Sequence, residues 1–307
     1  MENHQAVNDA EYFIFTGRDV PDNVTHVRVH ESVQAIPPHA FFRRHRLKTV
    51  VCHNELERVG AAAFMSAGPH LRNITLPGVK IIDAEAFKGT RLAYIECKKV
   101  ETVGESSFSY CKSLKKISLP CVRSIEQHAF YDCEQMTDVE LGEGLDTIAE
   151  RAFCYCRSLK RIVIPLKASF LLNDTFDDCD DLVTVTLVGG IHETVSNLPF
   201  ESWRNEMNEE IDRINHLLPT LTPDLKTIEI QRWIESVLER INHFKAEHRR
   251  LSVEAATQIE LALWSAKLEE GNVSGLDEEQ RAECRLNCGS ASIIIIPNVL
   301  AFLVMPS

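Results

Sequence analysis

Four cysteines occupy positions where chemistry could be done. Cys111, Cys133, Cys156 and Cys179 each follow a phenylalanine (Phe108, Phe130, Phe153, Phe176) by three residues. A column of thiols at one repeated position could ligate a soft metal or close a ladder of disulfides. Earlier copies of the position hold Arg44, Ala67 and Thr90, which a metal column would not tolerate. The position therefore reads as one buried small side chain per repeat, its S–H donating weakly to a neighbouring backbone carbonyl. Cys154 and Cys156 have no second Cys or His pair nearby, and Cys284 and Cys288, one helical turn apart, would need two more ligands to hold zinc. The twelve histidines form no HExxH or spaced cluster, and His243 and His248 fall among charges on a helix. Asp177, Asp178, Asp180 and Asp181 read as a solvated turn, because a calcium loop needs alternating ligands and a bidentate Glu. There is no glycine-rich phosphate loop, nucleophile elbow or kinase phrase. The expectation is a chain with no catalytic residue, no metal ligand and no cofactor, hence not an enzyme.

The elements that must place these residues repeat. Phenylalanines fall at 41, 64, 87, 108, 130, 153 and 176, at intervals of 23, 23, 21, 22, 23 and 23. Between them recurs an apolar triplet: Leu114/Ile117/Leu119, Leu159/Ile162/Ile164, Leu182/Val185/Leu187, with weaker copies at Leu47/Val50/Cys52 and Val27/Val29. Each Ile-x-Leu is a short strand with both apolar side chains on one face. One repeat cannot bury that face alone, so the strands must stack in parallel at about 4.8 Å. Pro77, Pro120 and Pro165 each follow a strand and end its pairing. Tyr12, Phe13, Ile14 and Phe15 precede Gly17 and read as an N-terminal strand covering the open end. Residues 1–23 are thus an N-terminal cap and residues 24–188 a solenoid of about eight rungs.

The phrase A-F-x-x-C-x-x-L-x-x-I-x-L-P-x-x-V-x-x-I resembles the BspA-like class of leucine-rich repeat. It places Cys three residues before the Leu, where the commoner repeat has Asn or Cys after the triplet. The resemblance covers about residues 24–188. It implies a ribbon-like interaction surface and no particular activity.

After Gly189-Gly190 the period becomes helical. Trp203, Met207, Ile211, Ile214 and Leu218 lie at intervals of four, four, three and four, one apolar stripe. Pro219 and Pro223 break this helix, and Thr222 or Asp224 can cap the next, whose stripe is Leu225, Ile228, Ile234, Leu238, Ile241 and Phe244. A third stretch from Leu251 is a separate helix or a continuation. Asp277–Cys288 suggests a further short helix, and Ile293–Leu303 an apolar segment that must be covered. Residues 189–307 are therefore a helical hairpin or bundle, packed on itself or near the last rung. Its phrases ESWRNEMNEEIDRIN, HFKAEHRRLSVEAATQIELALWSAKL and IIIIPNVLAFL resemble the C-terminal region attached to such repeats in uncharacterised diatom proteins, which gives it no role. The fold class is α/β: a leucine-rich-repeat solenoid of short parallel strands followed by an α-helical C-terminal region.

Charge narrows the partners. The net charge is -12. Residues 24–188 carry 21 basic and 21 acidic side chains, whereas residues 189–307 carry 11 and 19. An acidic chain without a basic block makes a poor nucleic-acid binder. Met1 is followed by polar, acidic residues, and the apolar run Ile293–Met305 is broken by Pro297 and Asn298, short of the roughly 20 residues of a membrane span. No signal peptide, membrane insertion or nucleic acid is expected, and the ten cysteines read as thiols of an intracellular, cytoplasmic protein. The outward strand positions carry Arg72, Asn73 and Thr75, then Tyr94 and Glu96, Lys115, Lys116 and Ser118, Asp138 and Glu140, and Lys160, Arg161 and Val163. These basic, acidic and basic bands imply either charge pairing between neighbouring strands or a docking face for a protein partner with Tyr94 as its anchor. The first expected function is a non-catalytic interaction scaffold using this face. The alternative is a self-associating protein, a homo-oligomer assembled through its helices.

Overall fold

The computed structural model describes residues 12–167, 174–188 and 198–272. The expected short helix at 277–288, the apolar segment 293–303, Cys284 and Cys288 lie outside them. The described strands are β1 (Phe13–Phe15), β2 (His26–Val29), β3 (Ala35–Ile36), β4 (Thr49–Val51), β5 (Arg58–Val59), β6 (Asn73–Thr75), β7 (Ile81–Ile82), β8 (Tyr94–Glu96), β9 (Thr102–Val103), β10 (Lys116–Leu119), β11 (Ser124–Ile125), β12 (Asp138–Leu141), β13 (Thr147–Ile148), β14 (Arg161–Ile164) and β15 (Thr184–Leu187). Two helices follow, α1 (Glu201–Leu217) and α2 (Pro223–Asn272), with a single 3-10 turn Leu218–Thr220 between them.

The strands form two parallel sheets. The long one has nine strands, ordered β1-β2-β4-β6-β8-β10-β12-β14-β15, and the short one six, ordered β13-β11-β9-β7-β5-β3. This is a β-solenoid of parallel strands followed by helices. Alternation sets which face is core: in β10, Ile117 and Leu119 are buried while Lys116 and Ser118 are exposed.

The third side of each turn is a corner centred on the repeat phenylalanine. The rings of Phe41, Phe64, Phe87, Phe108, Phe130, Phe153 and Phe176 stack face to face, with centroids 4.8 to 5.8 Å apart. Phe15 of β1 begins the column, 5.0 Å from Phe41. Residues two before and two after each of these phenylalanines have positive φ, for example His128 at 56° and Asp132 at 59°. This backbone costs non-glycine residues roughly 1 kcal/mol or more each. It is held because it turns alternate N–H groups toward the next turn: Phe108 N–H to Ala129 O at 2.7 Å, Phe130 N–H to Ala152 O at 2.8 Å, Phe153 N–H to Thr175 O at 3.0 Å.

The cysteine column sits inside the corner and does what the residue pattern predicted. Cys111, Cys133, Cys156 and Cys179 donate to the carbonyls of Phe87, Phe108, Phe130 and Phe153 at 3.1, 3.2, 3.1 and 3.1 Å. Arg44 holds the same position in an earlier turn, its Nε donating to Val20 O at 3.1 Å. Burial pushes the Cys111 thiol up to about 12, so it is inert as a nucleophile at neutral pH.

The chain divides into two compact units, residues 1–191 with 210–236 and residues 192–209 with 237–307. Residues 210–236, expected within the helical module, belong with the repeats. The reason is the open end of the ladders. Among the described residues Phe176 and Val185 have no further turn to donate to. The Phe176 N–H meets Thr227 Oγ1 at 2.9 Å and the Val185 N–H meets Asn215 Oδ1 at 2.8 Å. Lys226, only 2% exposed, donates to the carbonyls of Cys179, Asp180 and Leu182 at 2.9, 2.8 and 3.0 Å. Burial pushes the pKa of its ammonium down. This corrects the stripe expected for α2: Leu225 and Ile228 are exposed, and Lys226 and Thr227 are buried in their place. In the same unit the Trp233 indole N–H donates to Glu210 O at 3.0 Å.

In the other unit, Trp203 stacks on Phe244 at 4.9 Å and Phe200 meets Trp203 edge-on at 4.5 Å. The stretch from Leu251 proves to be a continuation of α2, which runs unbroken from Pro223 to Asn272.

Removing the ring of Phe130 deletes two stacking contacts and opens a cavity in the corner, so Phe130→Ala should destabilise the protein by about 3–5 kcal/mol. Cys133→Ala loses one weak donor and should cost about 1 kcal/mol or less. Equilibrium urea unfolding of the two variants separates these outcomes.

Candidate functional site

The long sheet presents one set of side chains outward. Backbone register aligns Asn73 with Tyr94, Tyr94 with Lys116, Lys116 with Asp138, and Asp138 with Arg161. A parallel column two residues on runs Thr75, Glu96, then Ser118, Glu140, Val163. Arg72, Lys115 and Lys160 lie one residue ahead of the strands and are exposed. All ten residues proposed from the sequence thus lie along this face or its leading edge.

They are not equivalent. Asp138 sits between two cations, 3.2 Å from Lys116 and 3.5 Å from Arg161, while Arg161 reaches Glu140 at 2.7 Å. Thr137 Oγ1 donates to Asp138 Oδ2 at 2.7 Å. That hydroxyl, then Lys116 and Arg161, hold the Asp138 carboxyl below its ordinary range. Glu96 pairs with Lys98 at 3.1 Å. Neighbour pairing therefore absorbs the middle of the banded surface. Tyr94 is 52% exposed. Arg72, Lys115 and Lys160 enter no ion pair among the described residues.

Beside the Arg161–Glu140 pair the face dips into an open depression of about 640 Å³ whose lining includes Ser118, Glu140, Gly142, Arg161, Val163 and Thr186. Gly142 allows the close approach of neighbouring turns, since a Cβ there would lie 1.8 Å from Pro120 O. Ser118 and Val163 are outward positions that the sequence already offers, and Thr186 joins them without having been singled out. Its signal was the outward parity of the strand alternation, which applies to small neutral residues as well as to charged ones.

Among the described residues no group of three or more His, Cys, Asp or Glu side chains is placed to hold a metal ion. No described helix is long and apolar enough to cross a membrane.

A family profile described as the BspA type leucine rich repeat region matches residues 19–121 and 80–205, in six copies. The chain belongs to this family of leucine-rich-repeat proteins. No curated protein sequence matches it. Among solved structures it is similar to a leucine-rich repeat protein of Bacteroides ovatus, with 22% identity over 53% of this chain and 55% of that one, at a TM-score of 0.41. It is also similar to a leucine rich cell surface protein of Faecalibacterium prausnitzii, with 21% identity over 57% and 65% and a TM-score of 0.43. A leucine-rich repeat protein of T. pallidum gives 22% identity over 57% and 68% and a TM-score of 0.37. The chain therefore spans just over half the length of the first of these proteins.

The charge network makes a pH-dependent contribution. A carboxyl whose folded pKa lies below its unfolded value stabilises the fold above the unfolded pKa, and that share is lost as pH falls through the folded value. Asp138→Asn should cost about 1 kcal/mol or less at neutral pH, and the difference from wild type should shrink and vanish as pH falls through the lowered folded pKa of Asp138. Urea midpoints of both proteins at neutral and acid pH check this.

Proposed function

We propose that the protein is a non-catalytic interaction scaffold that binds a protein partner through the outward face of the long sheet. The observation that carries this reading is the outward face of the nine-stranded sheet, with Tyr94 half exposed at its centre and an open depression beside the Arg161–Glu140 pair. Repeat families of this kind serve as interaction scaffolds, and an aromatic among satisfied charges is the usual composition of an energetic anchor. The paired Lys116, Asp138, Glu140 and Arg161 would set register and reject wrong partners, while Tyr94, Asn73 and the uncharged part of the depression (Ser118, Val163, Thr186) would supply affinity.

The placement that fits is intracellular, in the cytoplasm. Eight cysteines of the described residues are free thiols, as a reducing compartment would keep them. A second reading, self-association through the helices, draws on Val253, Leu261 and Leu263 of α2, which are 67%, 62% and 58% exposed.

The experiment is an affinity capture with full-length protein bearing Tyr94→Ala or Arg161→Glu on the proposed face, against Arg123→Glu outside it. The partner held by wild type should drop about tenfold or more with either face variant, a loss of roughly 1.4 kcal/mol, and stay with the control. Retention by both face variants would overturn the face. Capture of the same chain alone, lost when Leu261 and Leu263 are made Glu, would establish the helical reading instead.

A further inference from the structure

Many charges of this solenoid pair with an opposite one on the next turn. On the edge leading into the short sheet, Glu57 meets Lys80 at 2.8 Å, Glu101 meets Arg123 at 3.9 Å and Asp146 meets Lys167 at 3.0 Å. Arg58 likewise meets Asp83 at 2.8 Å, and Lys112 meets Asp132 at 3.1 Å. One stretch is biased to a single sign. From each corner phenylalanine to the first outward residue of the long sheet, the first four turns (41–49, 64–73, 87–94 and 108–116) hold ten basic residues and no acidic one. The next three (130–138, 153–161 and 176–184) hold three acids, then three bases, then four acids.

Some of the ten are neutralised: Arg44 by Asp22 at 2.8 Å, Lys116 by Asp138 at 3.2 Å, and Lys88 by Glu85. Arg46, Lys48, Arg72, Arg91 and Lys115 are exposed and enter no ion pair among the described residues. The backbone sets them in one strip. The register Val51 to Thr75 stacks Lys48 below Arg72, and the bonds Ala93 N to Arg72 O at 2.7 Å and Lys115 N to Ala93 O at 3.2 Å carry the column on to Lys115. Arg46 and Arg91 stand beside it, each one residue before the buried leucine of its turn (Leu47, Leu92). Arg72 Nη1 donates to Arg91 O at 3.4 Å and to Ser113 Oγ at 3.5 Å, but neither partner carries charge. Like charges on neighbouring strands repel, so the strip has a cost that no ion pair of these five residues offsets among the described residues.

Resting on the docking face proposed above, we infer that this leading edge seats an acidic, extended protein segment. Four turns at about 4.8 Å span roughly 14 Å, the length of four or five extended residues at about 3.3 Å each. A short run of Asp or Glu fits the strip, with Asn73 and Tyr94 alongside to take a backbone hydrogen bond and an apolar side chain. A long polyanion fits poorly, because the chain as a whole carries -12 and repels any charge that extends past the strip.

The test uses full-length protein and a fluorescein-labelled glutamate-serine dodecapeptide, followed by fluorescence anisotropy. A single-stranded oligonucleotide of the same charge is the second probe. The peptide should bind saturably at about 50 mM salt and weaken at least about tenfold by about 300 mM. Reversing Arg46, Lys48, Arg72 and Lys115 to Glu together should abolish binding, each single Ala variant should weaken it severalfold, and Lys80→Glu/Arg123→Glu should leave it unchanged. Thermal melts identify a variant that has failed to fold, in which case the single Ala variants decide. The inference is overturned if the peptide does not bind, if the charge-reversed or Ala variants bind like wild type, or if the oligonucleotide binds as tightly. If the captured partner is lost with Tyr94→Ala but kept by the reversed strip, the docking face stands and the acidic segment falls. If it survives both, the docking face falls as well.

Discussion

The structure depends on one directional hydrogen-bond ladder. At each corner, alternate N–H groups of one turn donate to carbonyls of the next, from Phe41 to Ala63 at 2.7 Å through Phe153 to Thr175 at 3.0 Å. The alternating backbone that aims these groups puts residues such as Ser106, Tyr110, Arg151 and Tyr155 at positive φ. Such strain persists only where the surroundings over-determine it. Here they do, because the stacked rings, the thiol-to-carbonyl bonds and both sheets all repeat at the same rise. A turn that lost its neighbour would keep the strain and lose its compensation.

Direction makes the two ends different problems. At the first end β1 pairs with β2 and Phe15 closes the ring column, so an apolar strand suffices. At the last end the corner is left with donors as well as apolar surface. The cap must therefore offer acceptors to Phe176 and Val185 and a donor to three carbonyls. Asn215, Thr227 and Lys226 meet those needs from two helices. Buried polar groups are tolerated only when bonded, and these are. The outward sheet face takes no part in the corner ladder; ion pairs neutralise its middle, while Arg72 and Lys115 on its leading edge enter none among the described residues.

How much of this could be read from residues alone follows the same division. The phenylalanine interval, the Leu-x-x-Ile-x-Leu triplet and the small residue three after the phenylalanine are each repeated several times, so one misreading could not hide the period. The parity of the outward positions followed from strand alternation, and Tyr94, Lys116 and Arg161 lie where it put them. The cap was not legible because it occurs once. An apolar-stripe reading of α2 selects Leu225 and Ile228 and passes over Lys226 and Thr227, since the side chains a helix buries are normally apolar. The place where helix polarity inverts is where the helix meets backbone groups left open by the last turn. Nor could sequence show that Asp138 is shared between Lys116 and Arg161 while Arg72 and Lys115 find no counter-ion among the described residues, because pairing depends on side-chain geometry across turns.

The most direct test of this account is amide hydrogen exchange in the full-length protein, read at the corner phenylalanines. If the ladder runs unbroken to its cap, the Phe176 amide should be protected to a degree similar to Phe130, and Thr227→Val should release Phe176 by at least about tenfold while leaving Phe130 nearly unchanged. A wild-type Phe176 amide that exchanges as an open turn, beside a protected Phe130, would contradict it: the last turn would then be frayed, and the two helices would not complete the ladder.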